Sequence, residues 1–389
     1  MPRPDRRTIL VLGLMGRYPM AGVAWQALQY LLGLARLGYE VYYAEDSGAP
    51  PYNPELLTVT DDAAYNVEFL RKAMDRIGLG DRWIYWDERT DRYHGLGREA
   101  LEDLYRRAGS IWNICGATRI GERQRQGAKL VYVETDPVVD ELRLANGDPG
   151  AREVFDAHDF LFTYGENLGT PFCPVPLSGY TLHPTRPPVL LDLWESPPHP
   201  AAGSFSTIAT WENRGKDVEF RGELYRWSKH QNFLDYLAVP LRCGIDFEVA
   251  IRPPGEAETT LLRSRRWRTV DPFQVSRDLD AYVRFIQGSR GEFTVAKDIY
   301  VRPRSGWFSD RSVCYLAAGR PVITQETGFS RHVPQGLGLL SFSTLDEACA
   351  AVERVEADYL RHARAAREIA REYFAAERVL RAMVEVIGI

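Results

Sequence analysis

The chain has little of what commits a sequence to an unusual environment. Its five cysteines, Cys115, Cys173, Cys243, Cys314 and Cys349, are scattered, with no CxxC pair and no spacing that suits zinc. This excludes a disulfide scaffold, and the thiols read as reduced cysteines of a cytoplasmic protein. No apolar run approaches the roughly 18 residues that span a bilayer, and the opening MPRPDRRTIL lacks the apolar core of a signal peptide. No transmembrane segment is therefore expected; peripheral contact with a membrane stays open. A formal net charge of -5 over 389 residues supplies no bulk attraction for nucleic acid, which is not an expected partner. Internal repeats and low-complexity tracts are missing. So are GxGxxG and the Walker A loop, which argues against a dinucleotide cofactor. Asp278-Leu279-Asp280 has the DxD form of a metal-binding pair, but it lies in a helical pattern where alternate carboxylates diverge. No metal site is expected.

What is present is an ordinary globular composition, 45% hydrophobic and 26% charged, with strands alternating with helices. Apolar runs at Thr8 to Gly13, Glu40 to Glu45, Trp83 to Trp86, Ser110 to Cys115, Lys129 to Glu134 and Phe160 to Thr163 read as strands of one parallel sheet. Tyr93, His94 and Gly95 read as a polar loop. Ligands of such sheets gather outside the carboxyl ends of the strands. That places the glycine loop after the first strand, with Gly16 and Arg17, and the strand-end groups Asp46, Asn113, Asp136 and Glu166 where function would be. A proline-dense connector runs from His183 to Pro200, and a second set of strands begins at Phe205. The expected fold class is α/β, two Rossmann-like domains with parallel sheets facing a central cleft. The expected boundaries are 1–188, a linker at 189–203, a second domain at 204–370 and a terminal helix at 371–389.

The most informative stretch runs from Ser289 to Phe329. A glycine turn containing Gly306 and Trp307 precedes a helix with Ser309 and Asp310 at its start, followed by Arg311 and Ser312. Gly319 stops the helix and Pro321 cannot continue it, so Arg320 to Gln325 reads as a buried strand ending at Glu326. A helix start presents unpaired N–H groups and about half a positive charge, hence an anion seat. Arg214, Lys216 and Lys229, in a basic loop after the strand at Phe205, would add charge-assisted hydrogen bonds.

Small and basic residues before that helix, with Gly-Arg-Pro-Val and Glu-Thr-Gly after it, resemble the carboxyl-terminal domains of GT-B glycosyltransferases. The resemblance implies a metal-independent transfer of sugar from a UDP-, dTDP- or GDP-sugar to an acceptor hydroxyl, with the diphosphate on the helix start and the last helix crossing back to the first domain. No cofactor beyond the donor is implied, and the partners are that donor and a small-molecule or glycan acceptor. One departure stands out. The common motif carries two glutamates eight positions apart, where this chain has Gly306 and Cys314, so Glu326 is the substitute for contacts to ribose or base.

For proton transfer from the acceptor, the candidates are Asp136, at a strand end in ETDP, and His158. Two other readings remain open at this point: a sugar-nucleotide epimerase of the same fold, and an inactive binding subunit.

Overall fold

The computed structural model describes residues 5–197, 203–213 and 215–389. In chain order the first half contains β1 (Asp5–Leu12), β2 (Glu40–Glu45), a small hairpin of β3 (Tyr52–Asn53) and β4 (Thr58–Val59), then β5 (Trp83–Asp87), β6 (Arg92–Gly95), β7 (Ala108–Ile114), β8 (Lys129–Glu134), β9 (Phe160–Thr163) and β10 (His183–Pro184). Eight of these form one sheet in the order β10-β9-β8-β7-β1-β2-β5-β6. The apolar run Ile9 to Leu12 is central for a physical reason. All four residues are fully buried, which only a strand covered on both faces allows.

One local expectation is corrected. Tyr93 to Gly95 is not a loop but part of the antiparallel edge strand β6, with His94 opposite Tyr85. Gly95 takes φ +77°, and an added Cβ would lie 2.2 Å from the Trp83 carbonyl oxygen, so the polar edge is fixed by a glycine contact rather than by apolar alternation.

The second half contains β11 (Phe205–Ile208), a hairpin of β12 (Val218–Phe220) and β13 (Glu223–Tyr225), then β14 (Phe247–Ala250), β15 (Trp267–Val270), β16 (Gly291–Thr294), β17 (Val322–Gln325) and β18 (Leu339–Phe342). Its sheet has the order β15-β14-β11-β16-β17-β18, and every neighbouring pair is parallel. The molecule is thus two Rossmann-like α/β halves. Each sheet reverses its strand order once, between β1 and β7 in the first and between β11 and β16 in the second. Crevices at such reversals are where doubly wound sheets bind ligands.

The halves are clasped from behind. Helix Ala376–Ile387 lies on helix Ala21–Arg36 so closely that a Cβ at Gly33 would stand 2.4 Å from Leu380 Cδ1. Val189 donates its N–H to the Phe374 carbonyl at 2.8 Å and accepts from Ala376 N–H at 2.9 Å. Trp194, fully buried, packs on Trp25 with ring centroids 5.0 Å apart and on Tyr282 at 6.3 Å. The short apolar stretch within the proline-rich connector is therefore core.

Candidate functional site

At the first reversal, β1 runs into the loop holding Gly16 and Arg17. Glu45, at the end of β2, accepts the Gly16 N–H at 2.5 Å and the Arg17 N–H at 2.8 Å, and Asn66 Nδ2 donates to the Gly16 carbonyl at 2.6 Å. Burial pushes the Glu45 carboxyl up to about 7, against the opposing hydrogen bonds from Tyr43, Gly16 and Arg17. The loop is thus fixed by its own domain, and its Leu14 and Tyr18 side chains face the cleft.

Asp136 follows β8. Lys297, from just beyond β16, reaches across and pairs with it at 3.0 Å, and the Tyr300 hydroxyl also donates to it. Burial alone would raise the Asp136 carboxyl, but Lys297 and then Tyr300 outweigh it and hold it below its ordinary value. Asp136 is therefore an ionised, oriented carboxylate joining the two halves. Nearby Val138 has φ +83°, a sparsely allowed conformation for a β-branched residue, so the turn after β8 carries backbone strain.

At the second reversal sits the helix Asp310–Ala317. Ser309 occupies its N-cap with extended backbone, but its side chain makes no capping hydrogen bond. Ser312 is buried, and its hydroxyl has no partner among the described residues. Arg311 turns inward: Nε pairs with buried Glu292 at 2.6 Å, Nη1 donates to the Ile208 carbonyl at 2.7 Å and Nη2 to Thr294 Oγ1 at 2.9 Å. It pins the carboxyl ends of β11 and β16, so much of its donor capacity is spent within the domain. Lys229 stands beside it. Burial, then the Arg311 and Lys297 cations, push its ammonium well below the ordinary value.

Gly306, at φ +82°, does make a close approach, but to the other half of the chain. A Cβ there would lie 2.8 Å from Asn167 N. The turn is held by hydrogen bonds from Asn167 N to the Ser305 carbonyl at 3.0 Å and from Asn167 Nδ2 to the Arg304 carbonyl at 2.8 Å. Trp307 stacks on Tyr300 at 4.4 Å and donates Nε1–H to the Thr135 carbonyl at 3.0 Å. Gly306 and Trp307 thus join the halves beside the helix start. Glu326 accepts the Gly328 N–H at 2.5 Å and a weaker bond from Gln335 at 3.4 Å, which serves its own turn. His158 lines a separate pocket. Its Nδ1 lies 2.7 Å from the Val154 carbonyl and its Nε2 lies 3.2 Å from Asn113 Nδ2, with burial lowering it to about 4. Arg214 lies outside the described residues.

Between the halves lies a cavity of about 370 Å³. The first domain contributes Tyr18, Gln26, Glu134, Asp136 and Asp140 among others; the second contributes Lys216, Trp227 and Asp310. Asp310 Oδ2 accepts from Gln26 Nε2 at 2.8 Å, and burial pushes its carboxyl up to about 7. Lys216 holds its ammonium 4.7 Å from the Trp227 ring centre, and Lys297 covers the same ring at 3.1 Å. Sequence reasoning singled out Asp136, Lys216 and Asp310; the fold adds Gln26, Trp227, Tyr300 and Lys297. These four come from segments whose convergence only the folded chain shows. Among the described residues no group of three or more His, Cys, Asp or Glu side chains is arranged to hold a metal ion, and no helix is long and apolar enough to cross a membrane.

No protein-family model and no curated protein sequence matches the chain. Solved structures match over nearly its full length. HepE (Alr3699) of Anabaena, solved with UDP and glucose, superposes with a TM-score of 0.57 at 11% identity, covering 98% of this chain and 100% of that one. AviGT4, a glycosyltransferase of avilamycin A biosynthesis, gives 0.54 at 14% identity over 97% and 96% of the two chains. An α-glucosyltransferase solved with UDP gives 0.55 at 9% identity over 99% and 100%. The fold is GT-B.

Proposed function

We propose that the protein is a glycosyltransferase that moves a sugar from a nucleoside-diphosphate sugar to an acceptor hydroxyl. One observation carries this reading. At the second strand-order reversal, the cations of Lys229, Arg311 and Lys297 gather, and an uncapped helix start opens alongside. Such a concentration of cations and free N–H groups is stabilised by a multiply charged anion. A diphosphate seated on Lys229, Lys216 and the amides at 309–312 would meet that need. Arg214, from the same basic loop as Lys216, is assigned to the same anion.

The chemistry then follows from charge. As the bond from sugar to phosphate breaks, the electron pair leaves with the nucleoside diphosphate, where the lysines and helix amides stabilise the developing charge. Asp136, fixed by Lys297 and Tyr300, is assigned to orient the acceptor hydroxyl and take its proton. His158, whose two ring nitrogens are both engaged, is left out of the reaction. Glu326 is assigned to the ribose or base, and Gly16 and Arg17 to the acceptor side of the cleft. The likeness to structures solved with UDP supports a nucleotide donor.

Thermal unfolding with UDP, dTDP and GDP tests the reading. At a hundred times its dissociation constant, the cognate nucleotide should add about 2.7 kcal/mol of stability. Lys229→Ala should weaken that nucleotide by about ten- to a hundredfold, the loss of one charge-assisted bond of ~1.5–3 kcal/mol. No shift with any of the three would refute the assignment.

A further inference from the structure

The cavity is unevenly charged. Four carboxyl groups line it, Glu134, Asp136, Asp140 and Asp310, against two cations, Arg143 and Lys216. Two of the four are matched: Asp136 to Lys297 at 3.0 Å and Asp140 to Arg143 at 3.8 Å. The other two have no ion-pair partner among the described residues. Asp310 is met by the Gln26 amide, and Glu134 accepts from Thr163 Oγ1 at 2.6 Å while its other oxygen is buried without a hydrogen-bond partner. Glu134 is only 2% exposed, and Asp310 faces it from the other domain. Carboxyl groups without cations suit hydroxyls, since each donates or accepts according to its protonation, and they oppose a further anion. Lys229 and Arg311 are not among the groups that line it, and Lys216 is, so the carboxyl groups outnumber the cations in this part of the cleft.

We propose that the acidic cavity receives the transferred sugar and admits only an uncharged one, Asp310 holding its hydroxyls from the second domain and turning away a sugar that bears a carboxylate. This rests on the glycosyltransferase reading and adds the class of donor: neutral hexosyl or N-acetylamino sugar, not hexuronate. Asp310 stands at the position that sets this choice, because it meets the cavity without a cation of its own. Burial pushes its carboxyl up to about 7, so it gains its charge as pH rises through that value. Apart from Glu141, the groups around it titrate elsewhere. Asp136 is held below its ordinary value, while Tyr30, Tyr164, Tyr300, Cys115 and Cys314 are all raised. Glu134 is raised by burial and by Glu141, which itself is raised to about 7.

The experiment compares donors that differ only at the sixth carbon, UDP-glucose with UDP-glucuronate and GDP-mannose with GDP-mannuronate, using the full chain. Nucleoside diphosphate without sugar serves as control. For the cognate base, kcat/KM for the neutral sugar should exceed that for the uronate by about a hundredfold. Asp310→Asn, which keeps hydrogen bonding and removes charge, should shrink that ratio at least about tenfold, mainly through KM for the uronate. If the variant fails to fold, the wild-type protein answers alone: the ratio should fall as pH drops from 8 to 6 and Asp310 gains its proton. A uronate donor used within about threefold of the neutral one would overturn the proposal, as would a ratio unmoved by both Asp310→Asn and pH. Failure of every nucleotide to bind is a different result, and it would remove the glycosyltransferase reading itself.

Discussion

Two aspartates that share a cavity have been driven in opposite directions by their neighbours. Asp136 has an ammonium and a phenol within reach and is held below its ordinary value; Asp310 has an amide and burial and is raised to about 7. The split bears on stability as well as on chemistry. An aspartate raised from 3.8 to about 7 holds a proton in the folded chain that the unfolded chain has already lost. Its effect therefore favours the folded state at low pH, declines as pH rises from about 4 to 7, and is level above that. Asp310→Asn removes this loss. In urea unfolding at pH 5, 6, 7 and 8, the variant should gain on the wild-type protein up to about pH 7 and then hold its lead; a difference independent of pH would contradict the assignment. The sequence made Asp136 legible, because a carboxylate after an apolar strand marks a strand end. It did not reveal the state of Asp310, whose partner Gln26 stands 284 positions earlier. Nor did it reveal that Arg311 would be spent on Glu292.

Elements were easier to read than their contacts. The strands Glu40–Glu45, Lys129–Glu134 and Phe160–Thr163 fall where apolar runs between glycine, proline and polar breaks put them. The helix after Ser309 ends at Gly319 with φ +68°, as its αL stop required. What a glycine was for was harder to see. At Gly306 local sequence names a tight approach but not what approaches, and the space beside it is filled by Asn167. The loop after β1 is a similar case, because its shape is imposed by Glu45 from the next strand. Glu45→Gln would set an amide N–H against the Gly16 or Arg17 N–H, at a cost of about 1–3 kcal/mol. Hydrogen exchange at residues 14–18 should quicken in that variant while exchange within β1 stays slow. Unchanged loop protection would mean that Glu45 does not hold the loop.

At the scale of the whole molecule, two sheets with the same kind of strand-order reversal place their ligand-binding ends across one cleft, and the chain joins them at front and back. The front contact is made by Asp136 with Lys297 and by Asn167 with the Gly306 turn; the back contact is the last helix on Gly33. The terminal helix could be recognised from its amphipathic pattern, but its resting place depended on Gly33, a single small residue in a distant helix. The central claim is that a diphosphate sits at the second reversal and a sugar beside it. The most direct measurement is a crystal structure with the nucleoside diphosphate that stabilises the protein most. The account predicts phosphate oxygens within hydrogen-bonding distance of Lys229 and the amides at 309–312, with the acidic cavity left free beside them for the sugar. Phosphates bound instead at the loop holding Gly16 and Arg17, or a helix start closed by protein side chains, would contradict it.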